Sequence, residues 1–134
     1  PKGSRLKADS QKIPHFLAVV DVYIQLARNG VILRFEVEPK YTKGEIEPDI
    51  FTIWEGASFF IEIQRSASYS KREFDAKLKR YERFKREGKH RGQFPYIVVV
   101  SKKRFDTSGF RGLPIIQVRD IGELVALVKR KASG

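Results

Sequence analysis

The apolar run at residues 96–101 (YIVVVS) constrains the fold of this chain more than any other segment. A strand this poor in polar side chains is typical of a sheet position that is covered on both faces. A charged helical segment at residues 70–87 precedes the run, and a strand-like segment at residues 58–64 precedes that helix. Because a helix that connects two strands brings the second back parallel to the first, these segments predict a parallel β-α-β unit.

The remaining segments add an antiparallel part to this unit. Residues 49–54 and 58–64 predict two strands that pair across the short turn at residues 55–57. In chain order, the predicted elements are a helix at 14–28, strands at 31–38, 49–54 and 58–64, a helix at 70–87, strands at 96–101 and 115–118, and a helix at 120–131. This α-β-β-β-α-β order with a short βα extension predicts an α/β fold, with one mixed sheet and helices on both faces. The apolar stripe of the first helix consists of Phe16, Val20, Tyr23 and Ala27.

Length and composition favour one globular domain at residues 13–134, preceded by a flexible basic arm at residues 1–12. The chain has no uninterrupted apolar segment of about 18 residues, so a membrane span is not predicted. The absence of cysteine excludes disulfides, thiol catalysis and cysteine-ligated zinc, and a reducing, cytoplasmic location is expected. The missing initiator methionine indicates a domain of a longer protein or a processed chain. The sequence leaves the oligomeric state open and allows a homodimer.

The positive charge of the chain is concentrated in one part of the sequence. Lysine and arginine total 27 against 16 acidic residues, a formal net charge of +11, and ten of the basic residues lie between Lys71 and Arg91. Such a concentration is typical of proteins that bind the phosphates of DNA, although a solvated helix face with internal ion pairs gives the same pattern. The candidate DNA-binding residues are Lys71, Arg72, Arg80, Arg83, Lys102 and Lys103.

Acidic and amide side chains lie at one end of the predicted hairpin. Asp49 follows Pro48 at the start of the first strand, and Glu62 and Gln64 point to the same face near the end of the second. The hairpin turn brings these two ends together, so the carboxylates of Asp49 and Glu62 are expected to converge. Oxygen ligands of this kind suit hard cations such as Mg²⁺. The alternative is that all three residues are ordinary polar strand ends in contact with solvent.

Lys77 lies in the apolar stripe of the second long helix, between Tyr81 and Phe84 on a helical wheel. An ammonium group that faces a sheet needs an anionic partner, because burying an unpaired charge is costly. The acidic cluster on the sheet would supply one, so Lys77 is expected to approach Glu62 or Gln64. A lysine at the edge of the stripe, with its ammonium group in solvent, is the alternative.

The sequence resembles the PD-(D/E)XK nuclease superfamily in its order of elements and in three short motifs. These motifs are Pro48-Asp49, Glu62-x-Gln64 and Lys77-x-x-x-Tyr81. Within this superfamily, the segments HFLAVVDVYIQL and FFIEIQRS…KLKRYERF are similar to the plasmid replication-relaxation family. The resemblance implies a restriction-endonuclease-like core, DNA as the partner, and hydrolysis of phosphodiester bonds with Mg²⁺ or Mn²⁺ bound by Asp49 and Glu62. It also implies an upstream winged-helix domain in the full-length protein.

Gln64 departs from the pattern of the superfamily, which has lysine at this position. A glutamine has no charge with which to stabilise a phosphate, and two interpretations follow. In the first, Lys77 supplies the charge from the helix, and Asp49, Glu62, Gln64 and Lys77 form a catalytic site. In the second, the site is inactive and the domain is a DNA-binding or partner-docking module. Weaker candidates for metal ligands are His15, Glu36 and Glu38.

Overall fold

A computed structural model describes the backbone of residues 2–90 and 92–133 and the side chains of residues 12–90 and 92–131. Its helices and strands, in chain order, are α1 (Lys2–Asn29), β1 (Ile32–Val37), β2 (Ile50–Trp54), β3 (Ala57–Ile63), α2 (Lys71–Glu87), β4 (Tyr96–Val100), β5 (Ile115–Val118) and α3 (Ile121–Ser133). A short 3₁₀ turn at Ser108–Phe110 lies between β4 and β5. This is the predicted order of elements, and no strand end differs from its predicted position by more than one residue within the described chain.

The five strands form one mixed sheet in the order β1-β2-β3-β4-β5. Neighbours are antiparallel from β1 to β3 and parallel from β3 to β5. At the hairpin between β2 and β3, Glu55 and Gly56 have positive φ angles of 51° and 77°, the geometry of a tight two-residue turn. The predicted α/β fold with a mixed sheet is therefore confirmed, and its restriction-endonuclease-like character stays a prediction.

Helices cover both faces of the sheet, and each face has its own apolar core. The core under α2 contains Phe60, Phe74, Leu78, Tyr81, Phe84 and Val99. The core under α1 and α3 contains Val22, Leu26, Trp54, Ile61, Val98 and Leu124. Because successive residues of a strand point to opposite faces, alternate residues of β3 face α2. Glu62 is one of these residues.

Local signals fix both ends of α2. The Ser70 hydroxyl accepts a hydrogen bond from the Glu73 backbone N–H (3.1 Å) and donates one to the Glu73 carboxylate (3.2 Å). The first of these bonds makes Ser70 the N-cap of the helix. Gly88 ends the helix in the left-handed conformation (φ 67°), which glycine adopts without strain. With its ends fixed and its apolar stripe on the sheet, α2 holds Lys77 and Tyr81 within hydrogen-bonding distance of β3.

α1 begins at Lys2, so the backbone of residues 2–12 is helical where the sequence predicted a loose arm. The prediction began the helix at Pro14, just before the first residue of its apolar stripe. However, residues 5–12 are mostly good helix formers, and Pro14 removes only one backbone hydrogen bond. The flexibility predicted for the arm at residues 1–12 stays a prediction, because the side chains of residues 1–11 lie outside the described part of the chain.

The core face of α1 differs from the predicted stripe. Val22 and Leu26 are buried, whereas Phe16 and Tyr23 of the predicted stripe are 63% and 47% exposed. α1 carries apolar side chains around about half of its circumference, so a period of 3.6 residues does not show which part faces the sheet. The Trp54 indole N–H donates to the Leu26 carbonyl (2.8 Å) and ties this face of the helix to β2.

Candidate active site

Glu62 is a buried carboxylate on β3, with only 2% of its surface exposed. Its Oε1 accepts a hydrogen bond from Lys77 Nζ (3.0 Å), and its Oε2 accepts one from the Tyr81 hydroxyl (2.5 Å). Lys77 and Tyr81 lie one helical turn apart on α2 and therefore reach the same carboxylate. The predicted contact between Lys77 and Glu62 is confirmed. The hydrogen bond from Tyr81 is an addition to the predicted site.

Asp49 lies beside β3, just before the start of β2. Its backbone N–H donates to the Ile61 carbonyl (3.1 Å), and its Oδ2 accepts a hydrogen bond from the Ile63 backbone N–H (2.7 Å). Its other carboxylate oxygen lies 3.4 Å from His15 Nε2 on α1. Asp49 thus flanks the segment that contains Glu62, and the charges of the two carboxylates influence each other. The two groups are neighbours at this end of the hairpin.

Burial controls the ionisation of the site. It raises the pKa of Glu62 from 4.5 to about 7, against the opposing effects of Lys77 and Tyr81, and the charge of Asp49 adds to the rise. Burial likewise raises the pKa of Asp49, although a hydrogen bond from the backbone opposes it. Burial alone would lower the pKa of Lys77, but the charge of Glu62, its hydrogen bond and the smaller effects of Tyr69 and Asp49 together outweigh burial, and the net shift is upward. A bound cation would therefore have to displace the proton of Glu62 at about neutral pH.

The raised pKa of Glu62 predicts that the protein becomes less stable as the pH rises, when a chelator keeps the site free of metal. A carboxylic acid whose pKa is higher in the folded chain than in the unfolded chain stabilises the fold below its unfolded pKa. This contribution is lost as the pH rises through the folded value of about 7. The free energy of unfolding should fall by roughly 3 kcal/mol between about pH 4.5 and pH 7.5.

Urea unfolding followed by circular dichroism measures this change. Glu62→Gln should lose much less stability over the same pH range, because the titrating group is gone. Glu123→Gln, which removes an exposed carboxylate of α3, is the matched control and should behave like the wild-type protein. A wild-type chain that is as stable at neutral pH as in mild acid would show that the pKa of Glu62 is not raised.

A cleft of about 540 Å³ opens at the carboxyl ends of the parallel strands β3 and β4. In open α/β sheets this edge is the usual position of a bound ligand. Arg65, Lys102, Lys103 and Arg119 line the cleft and supply positive charge, and none of the described residues that line it is acidic. The cleft is therefore suited to an anion such as a phosphate group.

Gln64 directly follows the last residue of β3 and comes two residues after Glu62. Its backbone N–H donates to the Val100 carbonyl (2.8 Å), and the residue lines the cleft. Residues two apart in a strand point to the same face, so Gln64 follows Glu62 on the side that α2 covers. The residue that hydrogen-bonds the Glu62 carboxylate is nevertheless Lys77, at the distance given above.

Tyr69 connects the buried carboxylate to the cleft. Lys77 Nζ lies 5.5 Å from the centre of the Tyr69 ring, and Lys103 Nζ donates to the Tyr69 carbonyl (3.3 Å). Lys103 also lines the cleft. Tyr69 therefore contacts both Lys77 and one basic residue of the cleft.

The six predicted DNA-binding residues separate into two groups. Lys102 and Lys103 line the cleft, and the other four belong to α2 and are not part of its lining. On α2, Arg72 is exposed, and the others have partners within the chain: Asp75 for Lys71 (2.7 Å), Glu47 for Arg80 (3.6 Å) and the Gly44 carbonyl for Arg83 (3.2 Å). Two of these contacts join α2 to the loop before β2, so part of the charge on α2 stabilises the fold.

Glu38 is a third carboxylate near the site. Its backbone N–H donates to the Asp49 carbonyl (2.8 Å), and its charge contributes to the raised pKa of Asp49. Glu36 points elsewhere and pairs with Arg34 (2.9 Å). Over the part of the chain whose side chains are described, no group of three or more histidine, aspartate or glutamate side chains has the arrangement of a metal site.

Asp49 and Glu62 are the residues that could hold a divalent cation. Both offer hard oxygen donors, and their like charges repel each other at a poorly solvated position, which a cation would relieve. Lys77 already brings one positive charge to Glu62. A cation that binds both carboxylates would therefore share Glu62 with Lys77 or displace its ammonium group.

The sequence model of the replication-relaxation family matches residues 2–97. This chain belongs to that family. The matched part of this replication-relaxation protein includes Asp49, Glu62 and Lys77, whereas Lys102 and Lys103 lie beyond it. No curated protein and no solved structure matches the chain, so the wider resemblance to PD-(D/E)XK nucleases stays a prediction. Among the described helices, none has the length and apolar character needed to cross a lipid bilayer.

Proposed function

We propose that this replication-relaxation domain hydrolyses phosphodiester bonds in DNA, with Mg²⁺ or Mn²⁺, during the replication or processing of plasmids. The observation that carries the proposal is the buried Glu62 carboxylate, which Lys77 and Tyr81 hold next to the carboxylate of Asp49. A buried ion pair is a poor way to stabilise a fold, since apolar residues of similar size often do as well or better. Clusters of buried groups with shifted pKa values are typical of functional sites.

Each residue has a distinct part in the proposed reaction. Asp49 and Glu62 would hold the cation, which when bound activates water and screens the charge of the phosphate. Lys77 offsets the negative charge that develops on the phosphate in the transition state. Tyr81 keeps the Glu62 carboxylate in one orientation through its hydrogen bond (2.5 Å). Gln64, on the side of the cleft, positions water or the DNA through its amide group.

The basic cleft is the DNA-binding surface of this proposal. Arg65, Lys102, Lys103 and Arg119 line it, and both types of side chain bind phosphate oxygens. Because Gln64 lines the cleft and follows Glu62 by two residues, a DNA strand held in the cleft would bring a neighbouring phosphate towards Glu62. The cleft would thus determine the position of the bond that is cut.

DNA binding should weaken steeply as the salt concentration rises, because the lysines and arginines of the cleft replace counterions of the phosphates. In a plot of log affinity against log salt concentration, each contacted phosphate adds about −0.9 to the slope. Replacing Lys102 and Lys103 together with alanine should make the slope less steep by up to about 2. Fluorescence anisotropy with a short labelled duplex measures this slope.

Lys129→Gln is the control for the salt experiment. Lys129 pairs with Glu55 at the turn between β2 and β3 (2.9 Å), at the opposite end of β3 from the cleft, so its replacement should leave the slope unchanged. An affinity of the wild-type protein that does not change with salt would argue against phosphate recognition by this cleft.

The second candidate function is a DNA-binding module without catalytic activity. The observation that favours it is that both oxygens of Glu62 already have hydrogen-bond partners in the chain, while the side chain is almost completely buried. A permanent contact between Lys77 and Glu62 would leave no place for a cation at this carboxylate. Gln64, at the position where the superfamily has lysine, would then be the mark of an inactive site.

Nicking of supercoiled plasmid separates the two candidates. The catalytic proposal predicts nicked product with Mn²⁺, none with EDTA, and none with Asp49→Asn, which keeps the size of the side chain and removes its charge. The binding module would retain salt-sensitive binding of the plasmid and would produce no nicked product under any of these conditions. Circular dichroism of Asp49→Asn establishes that the variant is folded.

A further inference from the structure

The surface next to β1 is unusually apolar for a chain of this charge. Exposed apolar side chains of α1 include Ile13, Phe16, Leu17, Tyr23 and Ile24, each with at least 40% of its surface in contact with solvent. On and beside β1, the corresponding residues are Val31, Leu33 and Val37, which are 51–73% exposed. Single exposed apolar residues are ordinary, but eight on two neighbouring elements form a patch of the kind that marks a protein interface.

β1 is also an open edge of the sheet, since β2 is its only strand neighbour within the described chain. The Glu38 N–H donates to the Asp49 carbonyl, and the Arg34 carbonyl accepts a hydrogen bond from a β2 side chain (2.7 Å). These residues therefore direct backbone groups towards β2. Because the direction alternates along an antiparallel strand, the backbone groups of Phe35 and Val37 point to the open edge. An edge of this kind can pair with a further strand.

The apolar surface of α1 and the open edge of β1 are continuous. The Tyr23 ring packs edge-to-face against Phe35 of β1, with ring centres 5.1 Å apart and planes at 86°. Phe16 lies two turns before Tyr23 on nearly the same side of the helix and is exposed. A partner that adds a strand to β1 would therefore also contact the exposed side of α1.

We propose that a second copy of this chain covers this surface. The two β1 strands pair in antiparallel direction about a two-fold axis at Phe35, so that two five-stranded sheets join into one of ten strands. The exposed sides of the two α1 helices meet next to this junction. The inference concerns assembly and does not depend on the proposed hydrolysis.

The residues of β1 complement one another in this arrangement. With Phe35 on the axis, Arg34 lies opposite Glu36 of the partner subunit, and by symmetry Glu36 lies opposite the partner's Arg34. Opposite charges at facing positions of an antiparallel pair stabilise it. Within one chain the two side chains are 2.9 Å apart, so both already lie on the same face of β1. This self-complementary charge pattern favours a second copy over an unrelated strand.

The exposed apolar area is of the size that a stable dimer needs. Eight side chains with roughly 100 Å² of exposed surface each supply about 800 Å² per subunit, which is what each partner buries in an interface of standard size. The net charge of +11 repels a second copy, and salt screens this repulsion. Salt should therefore strengthen the dimer, whereas it weakens DNA binding.

Sedimentation velocity of the whole chain, over a wide concentration range and at low and high salt, tests the proposal. The 15.5 kDa chain should convert to a species of twice that mass as its concentration rises, and at lower concentration when salt is high. Phe16→Ser and Leu17→Ser change exposed residues of α1, and each should raise the dissociation constant of the dimer by about tenfold.

Charge reversal at β1 tests the two-fold pairing itself. Glu36→Arg places two arginines opposite each other, and Arg34→Glu places two glutamates opposite each other. Each variant alone should dimerise at least about tenfold more weakly than the wild-type chain. Mixed in equal amounts, the two variants should form a heterodimer, because every facing pair is again of opposite charge. A contact within one chain cannot produce this recovery.

Four outcomes would overturn the proposal. The first is a wild-type chain that stays monomeric at all concentrations and salt levels. The second is a dimer that tolerates both charge reversals, and the third is a pair of charge-reversed variants that do not recover on mixing although their circular dichroism spectra match the wild-type spectrum. Binding of the monomer to lipid vesicles through α1, lost in Phe16→Ser, would assign the surface to a membrane instead.

Discussion

Lys77→Ala is expected to lower the rate of plasmid nicking by about 100-fold or more, whereas Gln64→Ala is expected to lower it by less than about tenfold. The ammonium group of Lys77 contacts Glu62, so it would lie beside a phosphate that approaches a cation held by Asp49 and Glu62. Gln64 is uncharged and borders the cleft, where loss of its amide removes hydrogen bonds but no charge. The difference between the two variants measures how far Lys77 replaces the lysine that the superfamily has on the strand.

Lys77→Arg separates a specific role of the ammonium group from a requirement for charge alone. A guanidinium group is planar and bulkier, and we expect it to restore less than about one tenth of the lost activity. Lys79→Ala, an exposed lysine of the same helix, is the matched control and should retain full activity. Full nicking activity of Lys77→Ala would show that the contact with Glu62 has no catalytic role.

Glu62→Gln is expected to abolish nicking while leaving the protein at least as stable as the wild-type chain at neutral pH. The amide keeps the size of the side chain and an oxygen that can accept a hydrogen bond from Tyr81 or Lys77, but it is a much poorer ligand for a hard cation. Removing a buried charge also removes the destabilisation that accompanies its ionisation above the folded pKa of about 7. Activity and stability should thus change in opposite directions.

If the ion pair between Glu62 and Lys77 is purely structural, Glu62→Gln should instead lose stability and keep its activity. If the contact between Glu62 and Lys77 served only to stabilise the fold, Glu62→Gln would leave Lys77 without its anionic partner and lower the free energy of unfolding by several kcal/mol. Urea unfolding at pH 7.5 and plasmid nicking, measured on one preparation of the variant, distinguish the two cases. A variant with lower stability and unchanged activity would contradict the proposed role of Glu62.

The sequence was sufficient to predict the arrangement of the sheet and the contact between Lys77 and Glu62. The apolar run of β4 after a helix required a parallel crossover, and the hairpin before α2 had a turn with glycine at the position of positive φ. The contact between Lys77 and Glu62 followed from one physical requirement, that an ammonium group in an apolar stripe needs an anion on the facing sheet.

Other parts of the site were not predictable, for physical reasons. Tyr81 lies in the apolar stripe of α2, where a tyrosine is usually a core residue. Nothing in the sequence indicates that its hydroxyl donates a hydrogen bond to Glu62. Arg65 and Arg119 line the same cleft although they follow different strands. Which strand ends meet at a cleft depends on strand order and register, and these follow from packing of the whole chain.

For α1, the helical period of the apolar residues did not predict which side of the helix is buried. Its apolar side chains cover both the surface that packs on the sheet and the surface that faces solvent, so the sequence pattern alone assigned Phe16 and Tyr23 to the wrong surface. The hydrogen bond from Trp54 to the Leu26 carbonyl is a long-range contact that fixes the rotation of the helix. The misassigned residues form the surface at which we expect a second copy to bind.

A crystal structure of the protein soaked in Mn²⁺, with anomalous data collected near the manganese absorption edge, tests the central claim most directly. The account predicts an anomalous peak between the carboxylates of Asp49 and Glu62, with both within about 2.5 Å of the ion, and no such peak in Asp49→Asn. Lys77 should remain close to Glu62 or move towards the cleft. The absence of a peak at saturating Mn²⁺, with Lys77 and Tyr81 still bound to the two oxygens of Glu62, would contradict the account.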